Sequence, residues 1–191
     1  MLIVRTAFQR ALSPRSPLRA LSRDRRGVSA VEFALLMPIL MLLYFGVVEL
    51  TQGAMTSQRA AHTASTVGDL VAQNTSVTSA EVTDIFSVGN TVMYPYPTAT
   101  LQMRVSSLTA DANGAVKVVW SQAQGMTKLQ PGSTVGGLPA NVINANESVV
   151  MSEARYTYTS VFGQVLPQPI TFSNAYYLRP RLSPQVTCAD C

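Results

Sequence analysis

The sequence predicts an α+β protein, in which a long N-terminal transmembrane helix continues outside the membrane and packs on a small antiparallel β-sheet domain. Three observations support this class. The run Val28–Leu50 contains no Lys or Arg. A helical spacing of apolar residues continues beyond it to about Gln73, and from Thr98 the spacing changes to the two-residue period of strands. We therefore divide the chain into a leader, a span, a helical region with its connector, and a β domain, at residues 1–27, 28–50, 51–97 and 98–191.

The first part, residues 1–27, is a basic leader. Seven of the 14 Lys and Arg residues precede Gly27 and one acid accompanies them, so this part carries +6 (7 − 1). The span holds two acids, Glu32 and Glu49, and the remainder has seven basic and seven acidic residues, which together give the net +4. The basic character therefore belongs to the leader. We expect no nucleic-acid partner, because the outer body has no basic stripe.

The second part, residues 28–50, is long enough to cross a membrane. As a helix it would extend about 34 Å, against a hydrocarbon core of about 30 Å. Pro38 lies in the middle of the run and predicts a kink, which membrane helices tolerate. Because the arginines lie on the N-terminal flank, the positive-inside rule predicts a cytoplasmic N-terminus and an outer domain beyond residue 50.

One acid, Glu32, lies near the start of this apolar run, although a carboxylate at the centre of a membrane helix costs about 2.5–3.5 kcal/mol. One interpretation is a plain uncleaved anchor with an accidental acid. The other is a leader cut on the cytoplasmic side between Gly27 and Val28, where glycine lets a protease approach the backbone closely. An ordinary secretory signal fits less well, because its apolar core has about 7–15 residues and an A-x-A pattern follows it.

The residues around this position carry a family resemblance. The motif Gly27-Val28-Ser29-Ala30-Val31-Glu32-Phe33 resembles the prepilin-peptidase site of type IV pilin-like proteins. With Ala34-Leu35-Leu36-Met37-Pro38 after it, the motif most closely resembles the TadE/TadG family of the tight-adherence (Tad, Flp) pilus system. Ser148–Tyr158 and Ala175–Cys191 are family-like in a less diagnostic way.

The resemblance implies a pilin-like component of Tad/Flp pilus biogenesis, a minor pseudopilin or assembly factor that supports adhesion and surface attachment. The implied partners are a prepilin peptidase, other pilin-like subunits, Tad assembly proteins and membrane lipid. The implied location is the bacterial inner membrane, crossed once, with a cytoplasmic N-terminus and a periplasmic C-terminal domain, and incorporation into a surface pilus is a further expectation. A TadE-type processed pseudopilin and a TadG-type uncleaved accessory protein both remain open.

Cleavage would give Glu32 a specific partner. The new α-amino group at Val28 would have a reference pKa of about 7.7–8.0. Glu32 lies four residues further on, about 6 Å along the helix and on roughly the same face, so it could neutralise that amine in its own chain or in a neighbour. The resemblance implies the neighbour, as an assembly register. The alternative is that Glu32 merely occupies a helix N-terminus, where the macrodipole stabilises it.

The third part, residues 51–97, is predicted to be mostly helical. The helix of the span continues to about Gln73 without a proline after residue 50. Its apolar stripe has a three-and-four spacing and is formed by Ala60, Ala61, Ala64, Val67, Leu70 and Val71. His62, the one histidine, lies on this helix, where we expect a solvated residue rather than a ligand.

A second, shorter helix and a connector complete this part. Thr78-Ser79-Ala80-Glu81 is a capping box that begins the helix, and Gly89-Asn90 is predicted to end it. Tyr94-Pro95-Tyr96-Pro97 predicts an extended connector, because each proline restricts the residue before it to extended geometry.

The last part, residues 98–191, is predicted to contain four antiparallel strands. The first strand alternates apolar Leu101, Met103 and Val105 with polar residues. Asn113-Gly114 predicts a hairpin, and the return strand has its own alternating apolar residues, Val116, Val118 and Trp120, of which Trp120 fills a core position.

A glycine- and proline-rich segment, Gln130–Asn146, predicts a long loop. The third strand, Ser148–Thr159, places Ala154, Tyr156 and Tyr158 on one face, and Ile170–Leu178 is the fourth. Four strands with a helix packed against them give a body of about 110 residues, which is enough for a modest core.

Two cysteines, Cys188 and Cys191, end the sequence as Cys-Ala-Asp-Cys. Outside the cytoplasm the favoured state is an intrachain disulfide, which would pin the C-terminal tail against the sheet. A disulfide between subunits is the main alternative. A redox-active pair would need a thioredoxin-like setting, and a metal would need two further soft ligands that the sequence lacks apart from distant His62. We expect no metal site.

No pattern in the sequence predicts catalysis. One histidine on the anchor helix leaves no Ser-His-Asp or Cys-His arrangement, and no glycine-rich loop would cradle a phosphate. We therefore expect neither an enzyme nor a cofactor. The alternative to a pilin-like component is an uncleaved envelope module whose outer β domain binds a partner or a surface. Leader removal separates the two, because a retained polybasic tail would block helix packing into a filament. A membrane-tethered thiol oxidoreductase rests on the cysteine pair alone.

Overall fold

A computed structural model describes residues 26–139, 141–163 and 165–191, so the predicted leader lies outside the described residues except for Arg26 and Gly27. The chain divides into a smaller unit, Met1–Tyr44, and a larger unit, Phe45–Cys191. In chain order the elements are α1 (Arg26–Ala72), β1 (Ser76–Val77), α2 (Ser79–Val92), β2 (Leu101–Ala110), β3 (Val116–Gln124), β4 (Ser148–Tyr158), β5 (Ile170–Leu178) and β6 (Thr187–Cys188).

Helix α1 contributes residues to both units and contains Pro38 within its 47 residues. Its bounds confirm the prediction of one continuous helix from Val28 to about Gln73. In the smaller unit every side chain from Gly27 to Tyr44 is exposed, although most of them are apolar. Among the described residues, this is the one helix long and apolar enough to cross a membrane. The sequence and the exposure pattern together indicate a single membrane anchor.

In the larger unit, α1 packs on a four-stranded antiparallel sheet with the strand order β3-β2-β4-β5, which confirms the predicted α+β arrangement. The buried positions of α1 recur every three or four residues and are mostly small: Gly46, Glu49, Gly53, Thr56, Ala60, Thr63, Ala64, Val67, Gly68, Val71 and Ala72. Of the predicted stripe, Ala61 and Leu70 are only partly buried.

Small residues let the helix backbone approach the sheet closely. A Cβ atom placed on Gly68 would lie 2.5 Å from Leu178 Cδ1 and 2.8 Å from Ser152 Cβ, so no larger residue fits without separating helix and sheet. The main core therefore lies between α1, α2 and one face of the sheet. Trp120 belongs to it as predicted, is 3% exposed, and donates its Nε1–H to the carbonyl oxygen of Val186 at 2.8 Å.

Helix α2 begins at the predicted capping box. The Thr78 hydroxyl accepts the backbone N–H of Glu81 at 3.2 Å, and the Glu81 carboxylate accepts the backbone N–H of Thr78 at 2.8 Å. The predicted end at Gly89-Asn90 is wrong, because the helix continues to Val92. A Cβ atom on Gly89 would lie 2.6 Å from Met103 Sδ, so this glycine allows close packing and does not end the helix.

A β-bulge in strand β3 interrupts the predicted alternation, so the apolar residues on its two sides belong to two different cores. Ser107 pairs with Trp120 and Leu108 pairs with Val118, so β3 has one extra residue at this point. An extra residue reverses which face the following side chains occupy. Trp120 therefore lies in the main core, whereas Val118 packs with Leu108 on the opposite face. The expectation that Val116, Val118 and Trp120 share one face is wrong.

The second face of the sheet is covered by the predicted long loop. Leu108, Val118, Val149 and Met151 form a buried cluster there. Leu129, just before the loop, packs against this cluster together with four partly buried apolar residues of the loop itself: Val135, Leu138, Val142 and Ile143. The segment is irregular as expected, but it is a packed layer of the fold, so the sheet is covered on both faces.

The C-terminal tail contacts two parts of the fold. Strand β6 pairs in parallel with β1, so the two form a separate two-stranded sheet beside the start of α2. The tail also contacts the four-stranded sheet, because the Val186 carbonyl oxygen accepts the Trp120 Nε1–H at 2.8 Å and the Gln185 side chain donates to the Thr109 hydroxyl oxygen at 3.1 Å. Its Val186 is fully buried in the main core.

Candidate functional site

The predicted processing motif lies at the start of α1. Gly27 and Val28 belong to its first turn, and Val28 is 53% exposed. A Cβ atom on Gly27 would meet nothing within 4 Å, and Gly27 has helical backbone geometry that any residue adopts. Neither packing nor conformation requires glycine at this position. Recognition by a processing enzyme remains a reason for it.

Glu32 is exposed and lies on the same helix, four residues after Val28, so the two residues share a face. Because α1 begins at Arg26, Glu32 is the seventh residue of the helix, and the first turn holds no acid. The macrodipole acts within about the first turn, and Glu32 would be the fifth residue of a helix that begins at Val28 after cleavage, so the helix-end role stays an alternative prediction. Val28 and Glu32 therefore lie about one helical turn apart, and the pairing of this carboxylate with an amine stays a prediction.

A second acid of the predicted span, Glu49, is in a different environment. Its side chain is 1% exposed, and its Oε2 accepts the backbone N–H groups of Val165 at 2.8 Å and Leu166 at 2.9 Å. Sequence reasoning counted Glu49 only as a charge and missed this role. Its position at the end of an apolar run, in a three-and-four spacing with Gly46 and Gly53, was the signal that could have indicated a buried partner.

These two hydrogen bonds attach a segment to α1 that we call the apolar loop, formed by Ser160–Gly163, Val165 and Leu166. The rings of Phe45 and Phe162 lie 4.8 Å apart between centroids. A Cβ atom on Gly46 would lie 3.0 Å from a methyl group of Val165, so the loop rests directly on the helix. Val161 is nevertheless 87% exposed and Phe162 is 47% exposed.

Next to the apolar loop lies a cleft of about 550 Å³. Its walls come from α1, the connector after α2, and the end of β4 with the residues that follow it. Tyr96 donates its hydroxyl hydrogen to the Gln52 side chain at 3.0 Å, and Tyr158 lies 3.7 Å from a Cβ atom placed on Gly53. Burial raises the pKa of the Tyr156 hydroxyl above its ordinary value. The cleft is largely apolar with a few polar groups on its walls.

At the other end of the larger unit, Cys188 and Cys191 are bonded to each other, with their Cα atoms 5.6 Å apart. Both sulfur atoms are thereby occupied and neither is a thiolate ligand. Between them, the Asp190 carboxylate accepts the backbone N–H of Ser79 at 2.9 Å, so the tail supplies an acceptor to the first turn of α2.

Comparison with known proteins identifies the anchor. Residues 27–69 match the family model described as TadE-like protein. Over this segment the chain is TadE-like. The TadE-like segment begins at the glycine of the predicted scissile bond, contains Glu32 and Glu49, and ends inside α1 before the sheet begins. Nothing matched in searches of curated proteins and of solved structures. The match covers 43 of the 191 residues (27 to 69), so the likeness to this family is a property of α1.

Proposed function

We propose that this TadE-like protein is a processed, membrane-anchored subunit or assembly factor of the Tad/Flp pilus, with a structural and not a catalytic role. The observation that carries the proposal is the coincidence of the family match with the motif. The match begins at Gly27, where an exposed helix presents Gly27, Val28 and Glu32 in the order that the processing chemistry needs.

The first step of the proposed function is cleavage between Gly27 and Val28 by a prepilin peptidase. Access of the protease explains the glycine at position 27, because neither packing nor backbone conformation requires glycine there. Cleavage removes the +6 leader and changes the formal side-chain charge of the chain from +4 to −2 (4 − 6). The retained helix then begins with an apolar segment, which can pack among other pilin-like subunits.

The second step is registration of neighbouring subunits by Glu32. Its carboxylate pairs with the Val28 amine of an adjacent chain in the low-dielectric setting of a helix bundle, where an isolated charge would be costly. The exposure of this helix face supports such packing. The larger unit then faces the periplasm or the pilus surface, in contact with Tad assembly proteins, and supports adhesion.

The topology that fits this function is that of a single-pass protein of the bacterial inner membrane. The leader, residues 1–27, lies in the cytoplasm, and residues 28–50 cross the membrane. Residues 51–97 and the β domain, 98–191, lie outside. The arginine excess of the leader supports this orientation.

Replacing Glu32 tests this function. Glu32→Ala is expected to leave membrane insertion intact or improve it, because the variant removes a carboxylate from the span. Pilus output, measured by shearing and immunoblotting, is expected to fall strongly. Thr51→Ala, an exposed change on the same helix outside the processing motif, is the matched control and should leave output unchanged. Normal piliation by Glu32→Ala at normal protein levels would refute the assembly role of Glu32 and would mean that the carboxylate is only a helix-end residue.

A further inference from the structure

We propose that the apolar loop is a second membrane contact, which inserts into the phospholipid interface beside α1. This proposal depends on the membrane anchor and not on a role in the pilus. The membrane contact and the pilus function can therefore fail independently of each other. The occupant of this surface is the bilayer itself, on the side where α1 leaves the membrane.

The depth of the loop follows from the part of α1 on which it rests. The loop contacts Phe45, Gly46 and Glu49, which are among the last six residues of the predicted span, 28–50. Six residues of helix extend about 9 Å, so these last two turns reach from just inside the hydrocarbon core to its boundary with the headgroups. A segment that packs on them lies at the same depth.

The hydrogen bonds of Glu49 support this depth. A carboxylate at the membrane boundary needs donors, because bare hydrocarbon offers none. The side chain is 1% exposed and receives two backbone N–H groups from the loop, at Val165 and Leu166. The loop therefore replaces water around Glu49. Water would serve that purpose without a dedicated loop if this region of α1 were fully solvated.

The side chains that the loop presents are suited to lipid. Val161 and Val165 are 87% and 42% exposed, and on the neighbouring helix Val47 and Leu50 are each 56% exposed. Val47 and Leu50 belong to the same helix as the exposed apolar residues of the anchor. Exposed apolar residues that are contiguous mark a site of interaction.

Charge is also missing from the sequence around this surface. No charged residue occurs between Arg155 and Arg179, which includes the whole loop, nor between Asp84 and Arg104, which includes the connector. The connector that forms one wall of the cleft carries two tyrosines, of which Tyr94 is 76% exposed and Tyr96 is partly buried. Tyrosine is enriched where a protein meets the headgroup region, because its ring is apolar and its hydroxyl is polar.

Fluorescence quenching by lipid tests the contact in the full-length protein. Val161→Trp is the probe variant, because this side chain has no packing role to disrupt, and Leu182→Trp is the matched control at a position 71% exposed on the distant tail. Both variants keep buried Trp120, whose emission in the unsubstituted protein gives the baseline. Each protein is reconstituted into phosphatidylcholine vesicles with plain or brominated acyl chains.

The emission added by Trp at position 161 is expected to fall about twofold or more in brominated vesicles, since an exposed Trp beside the span favours the interface. The emission added at position 182 should not change. Equal quenching at the two positions, or none at 161, would overturn the proposal. A blue-shifted but unquenched Trp at 161, dependent on the ratio of protein to lipid, would also overturn it, because a second copy of the chain would then cover the loop.

Discussion

The larger unit has two ends of opposite chemistry, both of which touch α1. At the first end, around Glu49, the surroundings are apolar, and the one acid is enclosed by backbone N–H groups. At the second end, around Asp69, ion pairs are exposed: Asp69 pairs with Arg181, Glu147 with Arg179 and Asp111 with Lys117. Twenty residues of helix separate the two acids, about 30 Å. Both side chains are carboxylates. Backbone N–H groups take the place of water around Glu49, whereas the ion pair of Asp69 remains accessible to water.

This difference is what the proposed membrane contact at the first end predicts. Water solvates the charged groups of exposed ion pairs and screens their attraction, so such pairs are worth little and their cluster marks a solvated surface. An acid buried by a dedicated loop marks a surface where water is scarce. The surroundings of α1 thus change from apolar at Glu49 to ionic at Asp69, which agrees with a span that ends near residue 50. The following experiments examine this difference between the two ends.

The largest expected effect comes from removing the enclosed acid. Glu49→Leu leaves two buried N–H groups without an acceptor, each at about 1–3 kcal/mol, so we expect a loss of about 2–6 kcal/mol in the free energy of unfolding. Asp69→Ala is the matched control on the same helix, and because its partner is exposed the loss should be about 0.2–1 kcal/mol. Denaturant titration followed by Trp120 fluorescence measures both. Equal losses for the two variants would contradict the comparison.

The disulfide at the second end is expected to have an intermediate effect. It closes a ring of four residues, so its removal in Cys188→Ser/Cys191→Ser should cost less than the roughly 3 kcal/mol that chain entropy assigns to a 15-residue loop. The variant should stay folded, because Val186 remains buried and hydrogen-bonded to Trp120.

Thiol alkylation with and without prior reduction gives the state of the native cysteines. We expect alkylation only after reduction. Two freely alkylated cysteines in unreduced membranes would refute the bond and weaken the periplasmic assignment. A dimer on non-reducing gels would instead indicate a bond between subunits.

The smallest expected effect is acid sensitivity of the second end. Hydrogen bonds from the backbone N–H groups of Ala115 and Asn113, with the charge of Lys117, hold the pKa of Asp111 below 3.8. Hydrogen bonds from Asn144, with the charge of Arg179, hold the pKa of Glu147 below 4.5. A lowered pKa in the folded state stabilises the fold above the unfolded-state pKa, and this contribution is lost as pH falls through the folded-state value.

Stability should therefore decline slightly below about pH 4.5 because of these two exposed groups. In Asp111→Asn/Glu147→Gln that part of the decline should disappear. Thermal melting at pH 7 and at pH 3.5 measures the difference, and an unchanged acid-induced decline in the double variant would show that other groups cause it.

Local signals in the sequence predicted the elements well. The continuous helix, the capping box at Thr78 and the buried face of Ala154, Tyr156 and Tyr158 are confirmed. Each depends on spacing or on hydrogen bonds within a few residues, which the sequence displays directly. The family resemblance is confirmed for the same reason, because its motif is contiguous.

The features that were missed depend on partners distant in sequence. Glu49 binds N–H groups more than 100 residues away, Gly89 is required by Met103 on a strand, and the bulge in β3 reverses its alternation through pairing with Ser107. No periodicity within one segment reports such contacts. The packed loop over the second face was missed because a segment rich in glycine and proline has no regular period.

The central claim, that the anchor is processed like a pilin, is tested most directly by intact-mass measurement of the protein from membranes that contain the cognate prepilin peptidase. We expect a chain that begins at Val28. Gly27→Ala should slow its appearance and Gly27→Leu should block it. Gly136→Leu, at another glycine with open space around it, is the matched control and should be processed normally. A native chain that still begins at Met1 in the presence of the peptidase would contradict the account.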